Sequence, residues 1–332
     1  MRILDCFSHF MPISYYDFAK KNIAAVPKMM DRAANIPLMS DLDARSALVR
    51  SVEGFSQLLS TVSPTVDSIA VPKAAAELAA AYNDGLSEIS ERENICFPGF
   101  IASLAFTNPD AAVKEIERQN GNNLCLGFQI FSNINGAPLD KEDFEPIFAA
   151  LNAANKPVLL HPTRGYDFSD YKTEEFSQFE IWWSLGWPYE TSAAMFRLVL
   201  SGILERYPNL KIITHHGGGF IPAAGGRIDN GLPDIGSRTP KDFVENVRLK
   251  GSLQQAMRSF YADTAGFGST IPVIGAVEFF GSKKVVFATD CPFGAEGKTQ
   301  IENTLNGVLN SGFSKELEAD ILYNNAAQLF GI

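Results

Sequence analysis

The sequence predicts a parallel (β/α)8 barrel, and three observations predict it. Short apolar runs recur eight times with helix-like segments between them, 332 residues suit one large α/β unit, and every histidine stands at the end of such a run. Strands buried on both faces read as near-continuous apolar stretches, and alternation with helical periodicity places the helices outside the sheet. One domain over residues 1–332 is expected.

Taken in order, the strand-like runs cover residues 3–6, 54–60, 96–103, 124–130, 157–161, 211–215, 260–263 and 284–289. Helical patterns lie between them at 74–92, 109–120, 141–154 and 191–206. Two stretches break the rhythm: residues 8–41, with Pro12, Tyr15, Tyr16, Pro27 and Pro37, and residues 163–190, with Trp182, Trp183 and Trp187. They are expected as loop insertions after strands one and five. A long aromatic loop there either caps the pocket or packs as a surface or dimer contact.

Composition removes several classes of function. With 46% hydrophobic and 20% charged residues the chain is an ordinary globule, and its formal charge of -10, without a lysine and arginine run, argues against nucleic-acid binding. No window approaches the roughly 18 apolar residues of a membrane span, and the N-terminus lacks a signal-peptide pattern, so a cytoplasmic location is expected. Cys6, Cys96, Cys125 and Cys291 form no CxxC pair and read as buried free thiols, Cys291 being placed to line a site. The 25 phenylalanines and 9 tyrosines suit a planar substrate but mostly fill core.

The polar residues at the strand ends carry the chemistry. His9, His161 and the pair His215-His216 follow apolar runs, and Asp290 ends Val285-Val286-Phe287-Ala288-Thr289. In a parallel barrel those ends meet at one mouth, where imidazoles and a carboxylate serve either a divalent metal or proton transfer. Strand alternation turns His215 away from the face that His216 uses, so His215 is expected to pack or to support a neighbour.

Five segments in this order resemble the amidohydrolase-related family that includes aminocarboxymuconate semialdehyde decarboxylase and the decarboxylases of γ-resorcylate and 5-carboxyvanillate. They are Ile3-Leu4-Asp5-Cys6-Phe7-Ser8-His9-Phe10-Met11-Pro12, Leu160-His161-Pro162, Gly186-Trp187-Pro188-Tyr189-Glu190-Thr191, His216-Gly217-Gly218-Gly219 through Gly226-Arg227-Ile228-Asp229, and Thr289-Asp290-Cys291-Pro292-Phe293. The resemblance implies a metal-dependent-hydrolase barrel, with His9, His161 and Asp290 as metal ligands and His216 and Asp290 as catalytic groups. It departs at Phe7, where the family's first-strand motif has a histidine or glutamate. Cys6 cannot stand in, since its side chain is expected to point away from the interior. Three ligands with open positions suit Zn²⁺ or another divalent ion such as Mn²⁺; the alternative is a metal-free site using the same groups as acid and base.

The resemblance implies a carboxy-lyase acting on a small hydroxyaromatic or unsaturated carboxylic acid. Apolar Phe287 and Phe293 are expected to raise the pKa of Asp290 so that it protonates carbon. Arg164 and Arg227 are the candidate carboxylate clamps, Arg227 reaching a neighbouring subunit of a homodimer; Arg45 ranks third, Phe7 and Phe293 are candidate substrate walls, and Asp5 is structural. A lactone or amide hydrolase, a hydratase and a non-catalytic ligand-binding relative remain as alternatives.

Overall fold

The computed structural model describes residues 1–231 and 247–332. Eight parallel strands succeed one another in chain order: β1 (Ile3–His9), β2 (Phe55–Ser60), β3 (Gly99–Ala102), β4 (Cys125–Phe131), β5 (Pro157–His161), β6 (Lys211–Thr214), β7 (Tyr261–Asp263) and β8 (Val285–Val286). Backbone bonds close the ring between its ends. Cys6 N–H donates to the Phe287 carbonyl (2.9 Å), Asp290 N–H to Phe7 (3.1 Å) and His9 N–H to Cys291 (2.7 Å). These bonds lock the chain around Asp290 against the end of β1.

Alternation on each strand sorts the core into two layers. Leu4, Leu58, Ile101, Leu159, Ile213 and Val286 fill the inside of the barrel, while Phe100, Phe128, Val158, Leu160 and Ile212 face the helices. Each fully buried leucine or isoleucine stabilises the fold by roughly 2 kcal/mol. The helix Pro72–Arg92 buries Ala75, Leu78, Ala79, Tyr82, Leu86 and Ile89, the spacing of one helical face, and its Asn83 binds the backbone of Ser103 through both amide atoms (2.7 and 3.0 Å). Helix and strand end are thus fixed to each other.

Strand one departs from regular pairing in a way that shapes the site. Asp5 pairs with Gln57 but Ser8 with Leu59, so β1 carries one extra residue, a bulge. Leu4 and Cys6 share the inner cluster by ordinary alternation, and across the extra residue Phe7 joins it as well. The expectation that Cys6 points away from the interior is therefore corrected; the extra residue resets the alternation on which it rested.

The two stretches that break the β/α rhythm are built differently from each other. The first is largely helical, with Ile13–Asn22, Lys28–Ala34 and Pro37–Ser40 in sequence, and the helix Leu42–Arg50 follows it directly. Pro37 opens one of these helices at a position where its missing N–H costs nothing. The second is irregular up to Ile181–Ser184, and the helix predicted from 191 starts earlier, at Gly186–Leu200.

Candidate active site

Four side chains able to ligate a metal meet at the C-terminal mouth. One nitrogen each of His9, His161 and His215 and an oxygen of Asp290 lie within 4.8 Å of one another, and all four residues are buried. His9 and His161 end β1 and β5, His215 follows β6, and Asp290 follows β8. Asp290 adopts a left-handed backbone conformation (φ 61°), as does His216 (φ 56°). Such conformations cost about 1 to 3 kcal/mol each and persist where the surroundings impose them.

His215 is the main correction to the sequence reading. It shares its face with Ile213 as His161 does with Leu159, so regular alternation sends it into the barrel. His216 reaches the same place by another route. The strand stops at Thr214, the chain turns left-handed at His216, and the two rings lie 4.0 Å apart. The turn needs glycine behind it, because a Cβ on Gly219 (φ 62°) would lie 2.4 Å from the Pro188 carbonyl oxygen.

The hydrogen bonds fix which nitrogen of each ring faces the centre. His9 Nδ1–H donates to the Thr61 carbonyl (2.7 Å), His161 Nδ1–H to the Pro162 carbonyl (2.6 Å) and His215 Nδ1–H to Asp263 Oδ2. Carbonyls and carboxylates only accept, so in each neutral ring Nε2 presents a lone pair. His9 Nε2 lies 3.0 Å and His215 Nε2 3.3 Å from Asp290 Oδ1, and His215 Nε2 has no hydrogen-bond partner among the described residues. Buried lone pairs facing a carboxylate require a cation or a proton between them. A divalent ion fits this donor set, with each Nδ1–H held by an outer acceptor.

Without metal, a proton takes that place. Burial disfavours charge on His215, but Asp263 and Asp290 outweigh it and push its pKa up to about 10. Burial, reinforced by His9 and His215, holds His161 well below the usual histidine range. His216 is also lowered, first by burial and then by His215; its Nε2 lies 3.8 Å from Asp290 Oδ2 and its Nδ1 is unpartnered among the described residues. Asp290 runs against expectation. Burial raises its pKa, but His215 first, with His216 and His9 beside it, prevails and holds it well below the carboxylate range. The apolar flanks are outweighed by the imidazoles.

Rings line the centre. Phe7, fully buried, stacks on His215 at 4.0 Å; Phe131 lies 5.5 Å and Trp187 5.7 Å from His161, and Phe293 5.7 Å from His9. Trp187 also stacks over His216 at 6.4 Å. On the side of β3 and β4, Gln129 Nε2 donates to the Thr61 carbonyl that anchors His9 (3.1 Å), and Gln129 Oε1 and Ser103 Oγ are buried without partners among the described residues. Gln129 and Asp263 were not singled out from sequence, since each lies inside a strand-like run with no pattern of its own, whereas Trp187 was named in the second insertion and in a family-like segment but given no role.

The arginines divide. Arg164 lies 3.5 Å from both Asp170 and Glu190 and stacks over Phe168, leaving Nε unpaired among the described residues. Arg227 is exposed on the helix Ile221–Asn230. Arg45 is fully buried beneath the site and bonds Gln57, the Leu38 carbonyl and the Cys291 carbonyl. Gln57 in turn bonds Asp5, which accepts from Thr289, so this network ties β1 and β2 to the segment carrying Asp290.

Residues 5–332 match the family model described as Amidohydrolase. The chain belongs to the amidohydrolase family. It is 26% identical to the 2-amino-3-carboxymuconate-6-semialdehyde decarboxylase of Dictyostelium discoideum over 83% of this chain and 72% of that one. It is 28% identical to the gamma-resorcylate decarboxylase of Polaromonas sp. strain JS666, covering 94% and 97%. Among solved structures, a dihydroxybenzoic acid decarboxylase from Polaromonas sp. JS666, with bound manganese and the inhibitor 2-nitroresorcinol, superposes with a TM-score of 0.81 at 25% identity, over 99% of this chain and 97% of that one. No helix among the described residues is long and apolar enough to cross a membrane.

Proposed function

We propose that this member of the amidohydrolase family is a carboxy-lyase, one catalytic domain over residues 1–332, that removes CO2 non-oxidatively from a small hydroxyaromatic carboxylic acid. The observation that carries the reading is the convergence of three buried imidazole Nε2 atoms, their Nδ1 protons tied off, on Asp290. His9, His161 and Asp290, with His215, would hold a divalent ion, Mn²⁺ or Zn²⁺. Such an ion stabilises the negative charge that develops on the substrate oxygens as CO2 leaves.

The chain's own groups supply binding and proton transfer. Phe293 and Phe7 form apolar walls for the ring, Trp187 covers it, and Gln129 Oε1 and Ser103 Oγ offer hydrogen bonds to ring hydroxyls. Asp290, a carboxylate before substrate enters, accepts the phenolic proton and returns it to the carbon that loses CO2, while His216, 3.8 Å away, orients that carboxyl. The proton balance closes when the product phenolate takes a proton from water. Arg164 and, across a homodimer interface, Arg227 are the carboxylate clamps of this proposal, and the enzyme works in the cytoplasm.

One second reading, general-base hydrolysis of a lactone, rests on Asp290 standing ionised beside the imidazoles, the form a general base requires. One experiment separates the two. Protein stripped with chelator and reloaded with Mn²⁺ is incubated with γ-resorcylate, 5-carboxyvanillate, 6-methylsalicylate and a panel of lactones. Metal-dependent CO2 release from at least one acid is expected. Lactone opening with no CO2 from any acid would replace the lyase by the hydrolase.

A further inference from the structure

The Phe7 ring occupies a place in the ligand shell without being able to ligate. Its centroid is 5.6 Å from the His9 ring and 5.7 Å from the His161 ring. The three ligand imidazoles are themselves 5.1 to 6.4 Å from one another. By distance, position 7 is a fourth ring of the same cluster. Its only nearer ring neighbour in that cluster is His215, at 4.0 Å and 16° between planes. Phe7 thus covers one face of the His215 imidazole, while Asp263 holds its Nδ1 edge and Nε2 points at Asp290 without a hydrogen-bond partner among the described residues.

We infer that positions 7 and 215 are exchangeable ligand positions of one metal centre, and that in this chain strand six delivers the donor while the strand-one ring serves as the packing wall that sets its plane. Stacking on an apolar ring and a charge-assisted bond at Nδ1 leave the imidazole one orientation, with its lone pair toward the shared centre. The aromatic residue on β1 is then a supporting part of the site and the donor count is preserved. Either residue can carry the donor, but the two cannot do so independently, because their rings are in contact. This inference rests on the metal reading above and adds the coupling between two strands.

The test is metal binding by the full-length protein, read by calorimetric titration with Mn²⁺ and by the visible spectrum of the Co²⁺ form. His215→Ala is expected to weaken Mn²⁺ binding by more than about 100-fold, beyond the roughly 10- to 100-fold that loss of an outer hydrogen-bond partner causes. The double variant Phe7→His with His215→Ala is expected to recover binding to within about tenfold of wild type, with a Co²⁺ spectrum of the same donor number. Recovery by the second substitution also shows that the first did not act by unfolding. Wild-type affinity in His215→Ala, with affinity lost in His161→Ala, would overturn the exchange and leave the metal site standing. So would a folded double variant that stays as weak as His215→Ala. Indifference of both His161 and His215 would remove the metal reading together with the inference.

Discussion

Consecutive histidines after a strand pose a choice that alternation answers wrongly when the count starts from the wrong residue, here His216 in place of Ile213. Counting from Ile213, which faces inward, puts His215 inside the barrel; His216 joins it because the backbone turns left-handed one residue after the strand has ended. The signal for His215 was present in the sequence as the parity it shares with Ile213, the same parity that links Leu159 to His161. The left-handed turn had no signal beyond the three glycines that follow. Asp263 is the residue on which His215 depends, since Oδ2 accepts from its Nδ1 and Oδ1 accepts the backbone N–H groups of Ala265 (3.0 Å) and Gly217 (3.2 Å). Replacing Asp263 with Asn keeps the shape but removes the charge that makes Nε2 a strong donor. Mn²⁺ affinity is expected to fall about 10- to 100-fold, measured by calorimetric titration. Unchanged affinity would show that His215 needs no such support.

At the scale of elements, the strands were legible because burial on both faces leaves apolar runs that polar loops cannot imitate. Residues 157–161 were placed without error, and most other strands within a residue or two. The last run read as six residues, yet only Val285–Val286 pair with β7, because residues 287–291 turn to bond β1. The β1 bulge was illegible, since one extra residue changes alternation without changing composition. The helices of the first insertion were hidden by its prolines. Beneath the bulge lies Asp5, which burial pushes up to about 6 despite its bonds from Thr289 and Gln57. A carboxyl whose folded pKa exceeds its unfolded value of 3.8 holds its proton more tightly in the native state. Its stabilising contribution is present below pH about 4 and lost as pH rises through about 6, some 3 kcal/mol for a shift of about two units. The stability difference between wild type and Asp5→Asn, measured by urea unfolding, is therefore expected to move by about 2 to 2.5 kcal/mol against wild type between pH 4 and pH 7. A difference independent of pH would show that Asp5 does not titrate in that window.

Over the whole molecule, the sequence yielded the barrel and most of the convergent centre, because strand order brings residues 281 positions apart, His9 and Asp290, to adjacent ends. It yielded less about how an anion enters. The chain carries a formal charge of -10, and Arg164, a cation at the mouth, is offset by Asp170 and Glu190. An aromatic carboxylate approaching such a surface is repelled over the Debye length, about 30 Å at 0.01 M salt and about 10 Å at 0.1 M. Repulsion acts on encounter and not on the bound complex, so its effect belongs in kcat/KM and not in kcat. For whichever acid proves to be decarboxylated, kcat/KM is expected to rise about two- to fivefold between 10 and 150 mM NaCl while kcat stays constant. Steady-state CO2 release at fixed pH and metal loading measures both. A fall in kcat/KM with salt would reverse the sign of the local field and point to cations at the mouth, Arg227 first, as the groups that draw the substrate in.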